Sequence, residues 1–332
     1  MSHQLPPYSN IKFCNQHLGF KINSQHNAPQ FPKFLPLSSK RRNLCLIKQN
    51  HIEIVPLSME AVADLHSHTL RSDGVLLPEE LLKKASELGL TALSITDHDT
   101  MDGYIEAEPL AAKYNIELIP GIEISCYEND RDYHVLGYFV DPDNKVFQQH
   151  LDIFRREREK RAERIVKRLQ GMDLPVLFDD VLIKAGSATI GRPHVAAVMV
   201  DAGVTDTMKK AFDRYLGNGR SAYEPKPNFP VAKGIELINN AGGVAVLAHP
   251  GRDLPAHILM SIIQSGIDGI EVVHPSHQPE LQRHYREIAA LYCLIETGGS
   301  DFHGNRDYDH VNFGKVTIPY SLVEAMKYHI HK

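Results

Sequence analysis

Histidine, aspartate and glutamate recur in five short groups along the chain, and each group directly follows an apolar run. In the first group His66 and His68 are two residues apart, so a strand would project both imidazoles to the same face. Nine side chains of this kind are candidate metal ligands: His66, His68, Asp73, His98, Glu123, His134, His249, Asp301 and His303. They exceed the needs of one ion, so the sequence predicts a centre for two to three divalent ions.

The ligand types narrow both the metal and the chemistry. Imidazoles mixed with carboxylates suit Mn, Fe or Zn, whereas a calcium site would lack histidines and a structural zinc site would use thiolates. Cys126, three residues after Glu123, is the only cysteine placed among these groups. Closely spaced divalent ions make water nucleophilic at neutral pH and neutralise the charge of an in-line phosphoryl displacement. The sequence therefore predicts a polynuclear hydrolytic centre.

The elements that must position these ligands follow from alternating apolar patterns after the first sixty or so residues. Strands are predicted at 61–66, 91–96, 116–125, 133–140, 244–248, 269–273 and 293–296. Helices are predicted at 78–88, 101–114, 234–240, 255–265 and 279–291. Strands alternating with helices imply an α/β fold with a parallel sheet. We expect a closed barrel, because only closure brings ligands of the first and last strands to one face.

Two segments fall outside this alternation. Residues 143–228 contain a long charged helical pattern at 146–170 and shorter pieces, which predict a mainly helical insertion that caps the barrel mouth. The barrel would then comprise residues 59–142 and 229–332. Residues 1–58 are basic, with no acidic residue before Glu53, and predict a flexible N-terminal extension. Met59 is an alternative start, and a targeting presequence is a further interpretation that few arginines and several prolines weaken.

Composition limits the class of protein. The chain has 332 residues, 42% hydrophobic and 23% charged, as in a soluble globular protein, and no apolar run suits a membrane span. The net charge of −5 argues against a duplex DNA binder. Four cysteines without a C-x-x-C pair indicate reduced thiols and a cytoplasmic location. No obligate protein partner is evident in the sequence.

The long helical pattern carries arginines on its apolar side. Its stripe follows three- and four-residue steps through Leu151, Phe154, Ala162, Ile165 and Leu169. Arg158 occupies the missing step, and a guanidinium on a buried stripe needs an anionic partner. Arg161 lies one turn on, near the edge of the stripe. Both are candidate phosphate-binding residues, and the alternative is ordinary helical pairing with Glu157 and Glu163.

Three further residues are candidate substrate contacts. Arg192 and His194 flank Pro193, which stiffens the backbone, and they suit a phosphate contact and a proton donor to a leaving oxygen. They are therefore the candidate catalytic residues, although His194 could instead cap a loop. Arg252 follows His249 closely and is expected at the barrel mouth. The four candidate arginines together suit a substrate with two phosphates, or a 5′-phosphorylated RNA end, better than a simple monophosphate.

Six motifs in chain order resemble those of the PHP domain family (polymerase and histidinol phosphatase). They are His66-Ser-His68, Ser72-Asp73-Gly74, Thr96-Asp97-His98-Asp99, Gly121-Ile-Glu123-Ile-Ser125, Ala248-His249-Pro250 and Gly299-Ser-Asp301-Phe-His303. The resemblance covers about residues 61–320 and implies a distorted (β/α)7 barrel with three metal ions at its mouth. It implies one ion held by His66, His68, Glu123 and Asp301, a second held by Asp73, His98 and His303, and a third held by Glu123 as a bridge with His134 and His249.

A finer resemblance is to PHP proteins that act on nucleoside 3′,5′-bisphosphates and on the 5′ ends of short RNA, the RNase AM type. Its marks are the insertion after residues 133–138 and the segments Gly191-Arg192-Pro193-His194 and Ala248-His249-Pro250-Gly251-Arg252. It implies a phosphoric ester hydrolase, with Mn as the first choice of metal and a nucleotide or short 5′-phosphorylated RNA as substrate. A histidinol-phosphate phosphatase, an amidohydrolase-like hydrolase and a non-enzymatic regulatory module are the alternatives.

Overall fold

A computed structural model describes residues 61–330 of the chain. The predicted extension at 1–58 and the alternative start at Met59 lie outside the described residues. Within the described range, no helix has the length and apolar character needed to traverse a bilayer.

Eight strands form a single sheet in the order β7-β6-β5-β4-β3-β2-β1-β8. Their bounds are β1 Val62–Asp64, β2 Ala92–Ile95, β3 Glu117–Glu128, β4 Arg131–Tyr138, β5 Val244–Leu247, β6 Gly269–Val273, β7 Ile295–Gly298 and β8 Ile318–Pro319. All seven predicted strands are present, with ends shifted by a few residues, and β8 is an addition that its two-residue length hid from pattern analysis. The fold is the expected mixed α/β barrel.

The expectation of an entirely parallel sheet was wrong for two strands. β4 runs antiparallel to both of its neighbours, and β8 runs antiparallel to β1. The cause at β4 is the two-residue connection Asn129-Asp130, where both residues have positive φ. Such a turn reverses the chain directly into a hairpin and leaves no room for the crossover helix that a parallel pair requires.

Closure of the barrel depends on the two ends of β1. At its beginning β1 pairs with β8, whereas past its end the Leu65 N–H donates to the Gly298 carbonyl at 3.2 Å. Ser67 and Phe302 continue this contact as a parallel bridge. The first and last parallel strands are therefore joined at their carboxyl ends, which brings the residues that follow β1 and β7 together.

Eleven α-helices surround or follow the strands of the described chain. They are α1 Pro78–Glu87, α2 Asp102–Ala107, α3 Lys145–Gln170, α4 Phe178–Ala185, α5 Arg192–Asp201, α6 Met208–Ala211, α7 Val231–Asn240, α8 Ala256–Gln264, α9 Pro279–Tyr292, α10 Asp309–Asn312 and α11 Tyr320–Ile330. The single helix predicted at 101–114 is α2 followed by a 3₁₀ segment, Glu108–Tyr114, whose first turn contains Pro109. Proline removes a backbone donor at that point, which accounts for the break.

The segment between β4 and β5 is helical, as expected. Asn144 caps α3 by accepting hydrogen bonds from the backbone of Val146 and Phe147 at 3.1 and 3.0 Å. From the middle of α3 onward the segment has an apolar cluster of its own, whose members include Ala162, Ile165, Leu169, Val195, Met199 and Leu216. The division of the chain at residues 143–228 stays a prediction.

Candidate metal centre

The nine predicted ligands lie together at one end of the barrel. They are supplied by the segment after β1 (His66, His68, Asp73), by His98 after β2, Glu123 in β3, His134 in β4, His249 after β5, and by Asp301 and His303 after β7. Parallel strands present their carboxyl ends at the same edge, which explains most of this convergence. β4 runs the opposite way, and accordingly its ligand lies in the first half of the strand.

Glu123 is the centre of the arrangement and is 1% exposed. Its Oε1 lies 2.8 Å from His134 Nδ1 and 2.9 Å from His249 Nε2. Its Oε2 lies 3.4, 3.2 and 3.1 Å from nitrogens of His66, His68 and His98. One carboxylate therefore faces five imidazoles, with two on one oxygen and three on the other, as a bridging ligand would.

Two further carboxylates complete the ring of ligands. Asp301 Oδ1 lies 3.4 Å from His66 Nε2 and 3.3 Å from His68 Nε2. Asp73 Oδ1 lies 3.2 Å from His303 Nε2, and Asp73 Oδ2 lies 4.0 Å from His98 Nε2. Asp73 thus faces imidazoles from two different segments of the chain, and Asp301 faces both imidazoles of the segment after β1.

The residues fit metal ions by a direct structural criterion. His66 Nε2, His68 Nε2, His98 Nδ1 and Glu123 Oε2 are buried and have no hydrogen-bond partner. Buried polar atoms are rarely left so, and here they face one another across short gaps that a cation would fill. Four groups have ligand atoms within 4.8 Å of one another: His68, Asp73, His98, His303; His66, His68, Asp301; His66, Glu123, His249; and His98, Glu123, His134. The assignment of each residue to a particular ion stays a prediction.

Electrostatics of the centre favour a charged Glu123 carboxylate and neutral imidazoles at His98 and His134. Burial by itself disfavours the ionised form of Glu123, but attraction to His98, His134 and His66 holds its pKa well below the usual range. Burial lowers the pKa of His98 and of His134. Neutral imidazoles keep the lone pairs that bind metals.

The backbone is strained at three strand ends of the site. Asp99, His249 and Asp301 have positive φ values of 54°, 24° and 50°. Residues other than glycine rarely adopt this region, and such strain concentrates at functional sites where the surrounding structure enforces it. The strain at His249 and Asp301 aims two predicted ligands inward at the points where their strands end.

Glu271 supports the ligands and was not found from the sequence. Its Oε1 lies 2.9 Å from His66 Nδ1, and its Oε2 accepts the His249 backbone N–H at 2.7 Å. A carboxylate on the far nitrogen of a metal-binding imidazole fixes the ring and its tautomer. The signal was present as a lone acidic residue within the apolar strand β6.

The outer aspartates Asp97 and Asp64 hold the loops that carry the ligands. Asp97 accepts from the Thr69 N–H and from the Ser72 hydroxyl at 2.7 and 2.6 Å, so it holds the loop after β1 and not His98. Asp64 accepts the backbone N–H groups of His66 and Ser300, and burial raises its pKa to about 7. Both carboxylates therefore fix the backbone around the ligands, because the ligand rings are already engaged elsewhere.

Asp99 is the anionic partner that Arg158 was expected to need. Its Oδ2 accepts from Arg158 Nε at 2.6 Å, and Arg158 Nη2 donates to Ser125 Oγ at 2.8 Å. The guanidinium is thus paired within the protein beside the metal centre, in addition to lining a cavity with Asp73 and His134. We call this cavity of about 180 Å³ the cationic chamber.

Arg161 is the more deeply buried of the two helix arginines, at 6% exposure, whereas the stripe analysis placed it at the edge. Its Nε donates to the Glu224 carbonyl at 2.8 Å, but its Nη2 is buried without a partner. Burial and the positive charges of Arg192 and Arg158 lower its pKa to about 10. Arg161 therefore lines the chamber and keeps one unpaired nitrogen, with two other guanidiniums nearby.

Arg192 and His194 stand at the start of α5 and close to the same chamber. Arg192 Nη1 donates to the Leu216 carbonyl and to Asn218 Oδ1 at 3.3 and 3.1 Å. His194 Nδ1 accepts the Gly191 N–H at 3.0 Å, which leaves Nε2 to carry the proton of the neutral ring. Burial lowers the pKa of His194. His194 thus does cap its helix, and its ring also contacts the backbone of Ser72.

Arg252 is exposed, and the cavity beside His249 is lined by Pro250, Asp253 and Leu254.

Two other cationic residues near the site were not found from the sequence. Lys226 lines the cationic chamber and pairs with Asp132 at 3.0 Å. Arg306 Nη1 lies 2.7 Å from Asp301 Oδ2 and its Nη2 lies 3.2 Å from His303 Nε2. Neither residue belongs to a ligand motif, so only the folded chain reveals their positions.

Comparison with known proteins agrees with this geometry. The PHP domain model matches residues 64–176. A 5′-3′ exoribonuclease Rnm from Salmonella typhimurium is 33% identical over 73% of this chain and 85% of its own length. A 3′,5′-nucleoside bisphosphate phosphatase from Chromobacterium violaceum is 31% identical over 74% of this chain and 90% of its own.

A solved structure from Bifidobacterium adolescentis, assigned as a metal-dependent phosphoesterase, superimposes with a TM-score of 0.73. It is 35% identical in sequence, and the match covers 80% of this chain and 94% of that one. The chain therefore belongs to the PHP domain family.

Proposed function

We propose that the protein is a metal-dependent phosphoesterase that hydrolyses the 3′-phosphate ester of nucleoside 3′,5′-bisphosphates and trims short 5′-phosphorylated RNA from its 5′ end. The observation that carries the proposal is the ring of buried, unpartnered ligand atoms directly beside the cationic chamber. The names of the relatives from Salmonella typhimurium and Chromobacterium violaceum support the two substrate classes.

The nine ligands are proposed to hold two to three divalent ions, with Mn as the first choice. Bound there, such ions would supply a nucleophilic water and neutralise charge on the phosphoryl oxygens. Glu123 would bridge ligand sets, and Glu271 would keep the His66 ring in one tautomer. Mixed imidazole and carboxylate ligands also suit Fe and Zn, so metal analysis of the purified protein decides among the three.

The cationic chamber is proposed to bind the second, non-reacting phosphate of the substrate. Arg161 Nη2 and the paired guanidiniums of Arg158 and Arg192 would give charge-assisted hydrogen bonds to its oxygens. His194, with its proton on Nε2, would donate to the leaving oxygen. Arg252, which is exposed, is proposed only as an outer contact.

This assignment predicts a preference that a phosphate-release assay can measure. The metal-reconstituted protein is expected to release phosphate from adenosine 3′,5′-bisphosphate much faster than from histidinol phosphate, because only the bisphosphate offers an anion to the chamber. Adenosine 3′-monophosphate is the matched control, since it keeps the scissile bond and lacks the 5′-phosphate. Equal rates on all three compounds would contradict the role of the chamber, and no release from any of them would contradict the proposed function.

A further inference from the structure

Two grooves connect the metal centre with the surface, and they differ in charge. The first, of about 360 Å³, passes His134 and His249 and is lined by Asp130, Asp132 and Asp253 with a single arginine. The second, of about 680 Å³, begins at Asp73 and His303. Its outer part is lined by Lys209, Phe212, Arg306, Asp307 and Tyr308. We call this second opening the Tyr308 groove.

The Tyr308 groove is continuous with both parts of the site already described. It shares Asp73, Pro193 and Phe212 with the cationic chamber. It also shares His303 and Arg306 with the open pocket that Glu123 and Asp301 line. A ligand bound in the chamber and at the metal centre therefore lies next to this groove, whose wall contains the predicted ligands Asp73 and His303.

The wall of the groove is held in place by buried Asp309. Its Oδ2 accepts the backbone N–H groups of His303, Gly304 and Arg306 at 3.3, 2.6 and 3.1 Å. This fixes the loop that carries Arg306 and Tyr308. The Tyr308 side chain itself is 48% exposed, so an aromatic face stands at the groove on a fixed loop.

Charge and aromatic surface together match a single-stranded polynucleotide. Lys209 and Arg306 provide positive charge. Arg306 pairs with Asp301 at 2.7 Å, and Lys209 pairs with Asp213 at 2.7 Å on the surface, a contact worth little in water. A basic groove with exposed aromatic rings is the usual means of binding single strands, because phosphates seek cations and bases stack on rings. The first groove has three aspartates and one arginine, whereas the Tyr308 groove has two aspartates, of which Asp73 is a proposed metal ligand.

The chemistry of the proposed function requires an opening for the downstream strand beside the metal ligands. Water forms a new bond to phosphorus while the P–O3′ bond breaks, and the first nucleotide leaves with a 3′-hydroxyl. In a nucleoside bisphosphate the released phosphoryl group carries nothing further. In RNA the same phosphoryl group still carries the O5′ of the next nucleotide and becomes the 5′-phosphate of the shortened chain. That chain must occupy an opening that begins at the metal ligands.

We propose that the Tyr308 groove binds the downstream strand of a 5′-phosphorylated RNA, with Tyr308 stacking on a base and Lys209 contacting a phosphate. This inference rests on the proposed function and extends it, because it assigns a particular groove to the part of the RNA that lies downstream of the cleaved bond.

The test compares two substrates on the metal-reconstituted, full-length protein. For Tyr308→Ala and for Lys209→Glu, kcat/KM on a 5′-phosphorylated hexaribonucleotide is expected to fall roughly tenfold, while kcat/KM on adenosine 3′,5′-bisphosphate changes less than about twofold. Lys209→Glu is also expected to reduce the salt dependence of oligonucleotide cleavage. Tyr292→Ala, at an exposed tyrosine ending α9, and Lys210→Glu, at the neighbouring lysine, are matched controls and should change neither substrate.

A second measurement needs no variant. For the unchanged protein, kcat/KM is expected to rise from the 5′-phosphorylated dinucleotide to longer chains and then level off once the groove is filled. Three results would each overturn the groove assignment: equal loss on both substrates in the groove variants, no loss on either, or no length dependence beyond the dinucleotide. None of them would contradict the proposal that the unchanged protein hydrolyses the bisphosphate. If the unchanged protein hydrolyses neither substrate, the proposed function fails and this inference fails with it.

Discussion

The metal centre and the cationic chamber touch each other, yet they satisfy their charged groups in opposite ways. In the centre, imidazole and carboxylate atoms face one another and several have no hydrogen-bond partner. In the chamber, Arg158 is paired with Asp99 and Lys226 with Asp132, and a buried guanidinium nitrogen of Arg161 is left without a partner. The centre therefore depends on added cations, whereas the chamber has largely neutralised itself and keeps a small capacity for an anion.

The contrast predicts the largest loss at the centre. Glu123→Gln removes the charge that faces five imidazoles, so metal content should drop and activity on adenosine 3′,5′-bisphosphate should fall by about 10³-fold or more. Metal analysis and phosphate release measure both effects. Glu128→Gln, the same change in the same strand but at its hairpin end, is the control and should leave both unchanged. A fully metal-loaded, active Glu123→Gln protein would refute the bridging role.

A smaller and different loss is expected in the chamber. Arg161→Gln removes a charge-assisted contact to the non-reacting phosphate, so KM for the bisphosphate should rise about 10–100-fold with little change in metal content. The matched control is Arg164→Gln. Arg164 lies three residues further along α3 and pairs with Glu224 on the surface. If Arg161→Gln changed metal binding as Glu123→Gln does, the two regions would not be separable.

The smallest effect concerns stability without metal. Burial by itself lowers the pKa of His68, but Asp301 and Glu123 raise it to about 9, and Glu271 and Glu123 outweigh burial to raise that of His66. A raised histidine pKa stabilises the fold fully below the unfolded value of 6.5, and this is lost as pH rises through the folded value. Tm of the metal-free protein should therefore fall between pH 7 and 9, on the order of a few °C.

Metal should reverse that trend, because protons compete with cations for the same lone pairs. The measurement is thermal unfolding of the chelator-treated and the reconstituted protein across the same pH range. A parallel decline in both forms would show that the histidines of the centre do not couple protonation to metal binding.

Much of the fold could be read from the chain because the ligands coincide with strand ends. Each ligand lies in or soon after an apolar run that forms a strand. The alternation of side chains along a strand fixes which residues share a face. The hairpin between β3 and β4 was missed, although Asn129-Asp130 is the turn signal that makes it. The general alternation of strands and helices does not hold here, because this local turn joins β3 directly to β4.

The sequence by itself determined the ligand types, their order and the chemistry they suit, because these depend on residue identity and on periodicity within single elements. The tertiary structure alone decided which carboxylate supports which ring. Glu271 reaches His66 across 205 residues, and Asp99 neutralises Arg158 across 59. It also decided that Arg161, and not Arg158, keeps an unpaired nitrogen, and that Arg306 lies against Asp301. The physical reason is that partners so distant in sequence are set by strand register and by barrel closure, which no local pattern encodes.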